Sequence, residues 1–246
     1  MNRPPELLLA SVERIKPPQA LSQFVSDEYL SMNFKAPSII EVPSSHVDKP
    51  IYSRLYMPSQ SDLSNPRRAV IFNHGAGYLQ NSHMGWSGYF REYMFHNMLA
   101  QQGYVVLDMD YRASKGYGRD WRTAIYRQMG TPEVQDLRDG VNWLVANANV
   151  DRQRIGTYGG SYGGFMTFMA MFTAPDLFQA ASGTNTINLY IDSSSLVTMT
   201  SSQAVLIFQQ NPDKIETNHQ FQKILPKIFP TFHDFWTKIV DDQKKS

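Results

Sequence analysis

The sequence predicts an α/β fold, a mostly parallel sheet with helices on both faces. Three observations carry that expectation. Short β-prone apolar runs alternate with stretches of helical periodicity from residue 37 onward. The runs Ala69–Phe72 and Tyr104–Met109 are apolar with little alternation, as strands covered on both faces are. The stretches of helical periodicity are bounded by start and stop residues such as Thr131–Pro132 and Gly103.

Residues 1–35 are punctuated by proline and read as an extended lead-in. Leu7 to Val12 is expected to form one strand, and Pro17–Pro18 ends any helix there. Ser38–Val42 and Ile51–Tyr56 follow as strands separated by polar turn residues, and Arg68–Asn73 as a strand buried on both faces. A helix is expected over Ser87–Gln101, with Phe90, Tyr93, Met94, Met98 and Leu99 as its apolar face and Gly103 closing it. Tyr104–Met109 is the next buried strand. In the helix after it Thr131 is the expected cap, Pro132 takes the first position, and Val134, Leu137, Val141, Leu144 and Val145 recur at helical spacing. Arg154–Tyr158 reads as a short strand and Phe165–Phe172 as a Met- and Phe-rich helix ending before Pro175.

Composition narrows the function classes. The 246 residues carry 23 basic and 22 acidic side chains, a net +1 that offers no footprint for nucleic acid or an anionic membrane. Uninterrupted apolar runs, such as Ala204–Phe208, are far shorter than the ~20 residues of a membrane span. With no cysteine, a disulfide framework, a thiol nucleophile and a thiolate metal site are excluded, and the redox compartment stays open. Met1–Ala10 does not read as a secretory signal. His46, His83 and His96 lack paired ligand spacing, so no metal site is expected, and nothing calls for a cofactor.

The segment with chemical content is Gly159-Gly160-Ser161-Tyr162-Gly163-Gly164, a G-x-S-x-G pattern with a strand before it and a helix after it. A serine on such a sharp turn projects its hydroxyl away from the sheet, and glycines two residues to either side let strand and helix backbones approach. The helix start behind Ser161 supplies donors and positive potential for a developing oxyanion, with the Tyr162 N–H first among them. A phosphate-binding loop is excluded, because no Lys-Ser/Thr follows the glycines. His74-Gly75-Ala76-Gly77 directly follows the strand Ala69–Phe72, where an α/β-hydrolase contributes its second oxyanion donor. His74 reads equally as a loop histidine making one hydrogen bond and as an oxyanion-side group. It precedes the serine, so it is a poor candidate for the base.

With those residues assembled, the chain resembles the prolyl oligopeptidase family of serine peptidases, in its dipeptidyl-peptidase-like branch. Tyr158 to Phe165 resembles the family's nucleophile segment. Asp110 to Gly118 resembles its YRGSxGYG segment, with Ala113 in place of the usual glycine. Asn73 to Tyr78 sits where many members have a Tyr-Gly-Gly-Pro loop, and the oxyanion-donating tyrosine of that loop falls on His74, with Tyr78 as a substitute. The resemblance runs from Ser26 to Ala181. It implies an α/β-hydrolase-like sheet, acyl transfer through Ser161, a peptide substrate, and an origin for residues 1–35 at the exit of a β-propeller.

Beyond Gly183 the pattern changes. The last 63 residues contain no glycine and no arginine, so the His-Gly segment that the family places near its end is absent. The expected division is a lead-in over 1–35, the hydrolase core over 36–183, and a divergent tail over 184–246, with the sheet incomplete at its C-terminal end and the catalytic domain truncated or its C-terminus replaced. The tail offers His219 and His233 as bases with Asp192, Asp213 or Asp234 as acids, against a reading of all five as solvated polar residues. Its Phe232, Phe235, Trp236, Ile239 and Val240 follow helical spacing. Two rival functions stay open, a small-ester hydrolase and a non-catalytic fragment lacking acid and base. Oligomeric state and localisation are not legible.

Overall fold

The computed structural model describes residues 1–12, 17–59, 65–75 and 78–184, together with the backbone of 204–208. The His219 and His233 candidates, their acidic partners and the tail helix lie outside the described residues.

A two-residue hairpin pairs β1 (Leu8–Leu9) with β2 (Gln19–Ala20), so the strand expected over Leu7–Val12 is shorter than its apolar run. Helix α1 (Asp27–Ser31) follows, its Tyr29 N–H capped by the Ser26 hydroxyl. The main sheet then takes β3 (Ser38–Val42), β4 (Ile51–Tyr56), β5 (Arg67–Asn73), β6 (Tyr104–Met109), β7 (Val150–Gly160), β8 (Ala180–Thr184) and β9 (Ala204–Phe208) in the order β3-β4-β6-β5-β7-β8-β9. Strands β6, β5, β7 and β8 run parallel, while β3, β4 and β9 add antiparallel edges. β9 pairs with β8 from Ala180↔Phe208 to Thr184↔Ala204, so the β-prone run of the tail extends the sheet.

Alternate residues of the central strands feed two cores. Ala69, Ile71, Val105, Leu107 and Met109 face α4 (Pro132–Asn147) and α5 (Tyr162–Thr173), where Leu137, Val141, Leu144, Met166 and Ala170 close the first core. Val70, Tyr104 and Val106 face α2 (Phe90–Gln101), whose Tyr93, Phe95 and Leu99 close the second. That alternation is the period of a strand with both faces covered.

Two helix readings differ from expectation in detail. In α2, Phe90 is exposed, and Met94 and Met98 are only partly buried; the inward face includes His96 and Asn97 instead. Both polar side chains find partners there, His96 Nε2 on the Tyr158 hydroxyl at 2.6 Å and Asn97 Oδ1 on the Lys35 N–H at 2.7 Å. Thr131 has helical dihedrals and makes no side-chain cap. Glu133 in the first turn instead ties the preceding turn to the helix, its carboxylate accepting the Gly130 N–H at 2.9 Å. The short α3 (Arg119–Arg122), entered through Gly118 at φ 96°, was not signalled by any apolar period.

Candidate active site

Ser161 stands between the end of β7 and the start of α5, exposed, with φ 56° and ψ −120°. An L-residue with a side chain avoids that region at a cost of about 1–3 kcal/mol. The surroundings hold it there. A Cβ on Gly163 would stand 1.9 Å from the Asn73 carbonyl oxygen, and one on Gly159 would stand 2.6 Å from the same atom. The glycines flanking Ser161 therefore let β7 and α5 close on the end of β5. Asn73 fastens the junction from inside, its Nδ2 donating to the Thr157 and Thr167 hydroxyls at 2.9 and 3.0 Å. Those hydroxyls donate in turn to the Ile71 and Gly163 carbonyls. Each such bond contributes about 1 kcal/mol net.

The segment after β5 reaches the serine at Gly75. A methyl group there would lie 3.5 Å from the Gly160 carbonyl oxygen and 3.9 Å from the Ser161 Cβ. The sequence-predicted residues of this segment separate. The His74 ring is fully buried, stacked at 4.3 Å on Tyr111, with Nε2 2.8 Å from the Ser114 hydroxyl and Nδ1 3.1 Å from the Gly75 carbonyl oxygen. Burial lowers its pKa, which favours the neutral ring, against the opposing pull of Asp110. Both nitrogens are thus engaged within the protein. Tyr78 is 51% exposed and lies under the Arg122 guanidinium at 4.5 Å. Among the described residues no histidine hydrogen-bonds Ser161.

Tyr162 opens α5 with its backbone beside the serine, and its ring is held from the side by α4. The hydroxyl donates to Glu133 Oε1 at 2.5 Å, and burial raises the pKa of both groups. Glu133 sits at the start of α4, next to the anchor of the YRASKGYG segment. There Arg112 Nε donates to Asp136 Oδ1 at 2.8 Å, the Arg112 N–H to Oδ2 at 2.7 Å, and Nη2 to the Pro132 carbonyl at 2.7 Å. Both side chains of this pair are buried. The sequence reading missed the pair; the spacing of Arg112 and Asp136 carries no local signal.

A second buried network carries the segment 81–89. Asp110 accepts the Asn81 and Ser82 N–H groups at 2.7 and 3.0 Å and the Tyr117 hydroxyl at 2.6 Å. Asp108 accepts from the Asn81 side chain, which in turn accepts from Ser87. Burial, and next the charge of Asp110, push the Asp108 carboxyl up to about 8, against the opposing pull of Arg54. The folded protein therefore holds a proton that the unfolded chain releases near pH 4. Its stability is expected to fall by a few kcal/mol as pH rises from about 4 to about 8. Urea midpoints across that window check this, and Asp108→Asn is expected to flatten the slope.

Among the described residues no cluster of three or more His, Asp or Glu stands in a metal-binding arrangement, and no helix is long and apolar enough to cross a membrane.

Comparison with known proteins agrees with this architecture. The chain is 30% identical over 141 residues to dipeptidyl aminopeptidase BIII of Pseudoxanthomonas mexicana, covering 55% of the chain and 19% of that protein. It is 31% identical over 144 residues to dipeptidyl peptidase 8 of Mus musculus, covering 57% of the chain and 16% of that protein. The chain thus spans under a fifth of the length of these curated relatives. Among solved structures, a puromycin-hydrolysing peptidase of Mycobacterium tuberculosis superposes with a TM-score of 0.63 at 22% identity, covering 76% of this chain and 28% of that one. The acylaminoacyl peptidase of Pyrococcus horikoshii superposes at 0.57 and 24% identity, covering 73% and 27%. Both show an α/β-hydrolase fold, as the sequence reading expected. Residues 90–224 match the prolyl oligopeptidase family over more than half of the chain, and the protein belongs to that family.

Proposed function

We propose that this protein is a serine peptidase that hydrolyses short peptides through an acyl-enzyme on Ser161. The observation that carries this reading is the exposed Ser161 at φ 56°, locked between Gly159 and Gly163 against the end of β5. The Ser161 Oγ attacks the scissile carbonyl carbon, and the carbonyl π electrons move onto oxygen. The Tyr162 N–H, an unpaired donor of the first turn of α5, meets that oxyanion. The tetrahedral adduct collapses with loss of the amine, and water then releases the acyl group. The base that takes the serine proton is sought among residues outside those described, His219 and His233 being the sequence candidates. The names of the relatives, dipeptidyl and acylaminoacyl peptidases, speak for short peptides as substrates.

Labelling with a fluorophosphonate tests the assignment. Wild-type protein is expected to take one label, at Ser161, and Ser161→Ala none. Folded wild-type protein that stays unlabelled would sink the catalytic reading. Turnover of a proline-containing dipeptide amide then separates a peptidase from an enzyme that cleaves only a p-nitrophenyl ester.

A further inference from the structure

Tyr89 lies one residue before α2, partly exposed, and is part of no motif in the sequence. In the fold its phenol oxygen accepts the Gly75 N–H at 2.6 Å. A methyl group at Gly75 would lie 2.9 Å from that oxygen and 3.9 Å from the Ser161 Cβ, so phenol and serine are neighbours across Gly75. We propose that the Tyr89 hydroxyl donates the second hydrogen bond to the oxyanion formed on Ser161, opposite the Tyr162 N–H. This assignment rests on Ser161 being the nucleophile.

Three features of the site support it. First, the contact with Gly75 uses a lone pair of the phenol oxygen and leaves its proton for another acceptor; among the described residues it has none. Burial raises the phenol pKa to about 12, so the proton stays in place through the neutral range. Second, the residue is held at ring and backbone. The ring packs edge-on to Phe72 at 5.4 Å, the backbone N–H donates to the Ser87 hydroxyl at 2.9 Å, and the backbone carbonyl accepts the Tyr93 N–H at 2.8 Å. Ser87 is in turn tied through Asn81 to Asp108 and Asp110 on the end of β6, so the donor is anchored to the sheet that also carries Ser161. A preorganised donor needs that fixity, because its value lies in not reorganising as charge develops. Third, the other side chains of the facing segment are committed elsewhere, His74 to Ser114 and Gly75, and Tyr78 to Arg122.

The test uses the full chain with an activated ester and its thionoester analogue, whose sulfur is a weak hydrogen-bond acceptor. Tyr89→Phe is expected to lower kcat by about 10²–10³-fold with KM within about twofold. It is also expected to narrow the preference of the wild type for the oxo over the thiono substrate, because the variant has lost the donor that tells oxygen from sulfur. A residue that only braces Gly75 would slow both substrates alike. As a variant that keeps ring and hydroxyl, 3,5-difluorotyrosine at position 89 is expected to lose kcat as pH rises through its lowered phenol pKa. Ionisation there strengthens acceptance from Gly75 but removes the donated proton, so an unchanged pH profile overturns the proposal. Full kcat in Tyr89→Phe, with Ser161→Ala inactive, overturns Tyr89 and leaves Ser161. A wild-type protein neither labelled at Ser161 nor active overturns both.

Discussion

Replacing Gly163 with alanine is expected to destabilise the protein by more than about 3 kcal/mol and to abolish labelling at Ser161. The added methyl would sit 1.9 Å from the Asn73 carbonyl oxygen and 3.0 Å from the His74 carbonyl oxygen. Both are backbone atoms, so no rotamer change relieves the overlap. Overpacking among side chains costs about 1–3 kcal/mol; here β5 and α5 must part, and with them goes the Asn73 bond to Thr167. Once that junction opens, nothing holds Ser161 at its positive φ. Gly88→Ala is the control, since a methyl there meets nothing within 4 Å, and it is expected to stay within about 0.5 kcal/mol of wild type. Thermal melts and fluorophosphonate labelling of the pair check both halves. Equal behaviour of the two variants would show that the close approach at Gly163 does not exist in solution.

Arg112→Ala is expected to cost about 3–5 kcal/mol, a drop in Tm on the order of 10 °C. The loss comes less from the pair itself than from the Asp136 carboxylate, left buried with only the Arg112 backbone N–H as its remaining partner in the pair. The Pro132 carbonyl and the Gln135 side chain lose their guanidinium donor as well. Because those residues open α4, where Glu133 holds the Tyr162 hydroxyl, the variant is also expected to label more slowly at Ser161. Replacing both partners with apolar side chains of similar volume should recover much of the stability, whereas Arg112→Ala alone should not. If Arg112→Ala melts with the wild type, the pair is not desolvated as the buried geometry requires.

These two sites differ in how far the sequence announced them. Gly163 was legible, because G-x-S-x-G between a strand and a helix states its own geometry. Arg112 was legible only as part of a resemblance, and its partner not at all. A charged residue reads in sequence as a solvated one, and only the packing of α4 over the loop after β6 removes the water. The same holds for Asp139, which accepts from Ser45 across 94 residues of chain, and for Asp108. The β3 and β4 bounds were read to the residue, since polar turns flank both runs. β7 came out longer than Arg154–Tyr158, because it begins at Val150, paired with Arg67, and the intervening Asp151–Gln153 are polar residues at a shift of register that no hydrophobic period reveals. The inward turn of His96 and Asn97 escaped for a related reason. Each hydrogen-bonds a residue distant in the chain, Tyr158 or Lys35, which a helical wheel cannot see.

By itself, the sequence determined the class of fold, the alternation of strands and helices from β3 to α5 apart from the short α3, and the turn that presents Ser161. These follow from apolar period, cap residues and glycine spacing, all local properties that a linear reading contains. Which side chains face that serine was decided by the tertiary structure alone. The segment after β5 reaches Ser161 at Gly75, folds His74 inward against Tyr111 and Ser114, and receives the phenol of Tyr89 from the start of α2. No residue spacing encodes that arrangement. It depends on how two loops pack over the end of one sheet, and the direction of a loop side chain follows from the partners it finds there rather than from its neighbours in the chain.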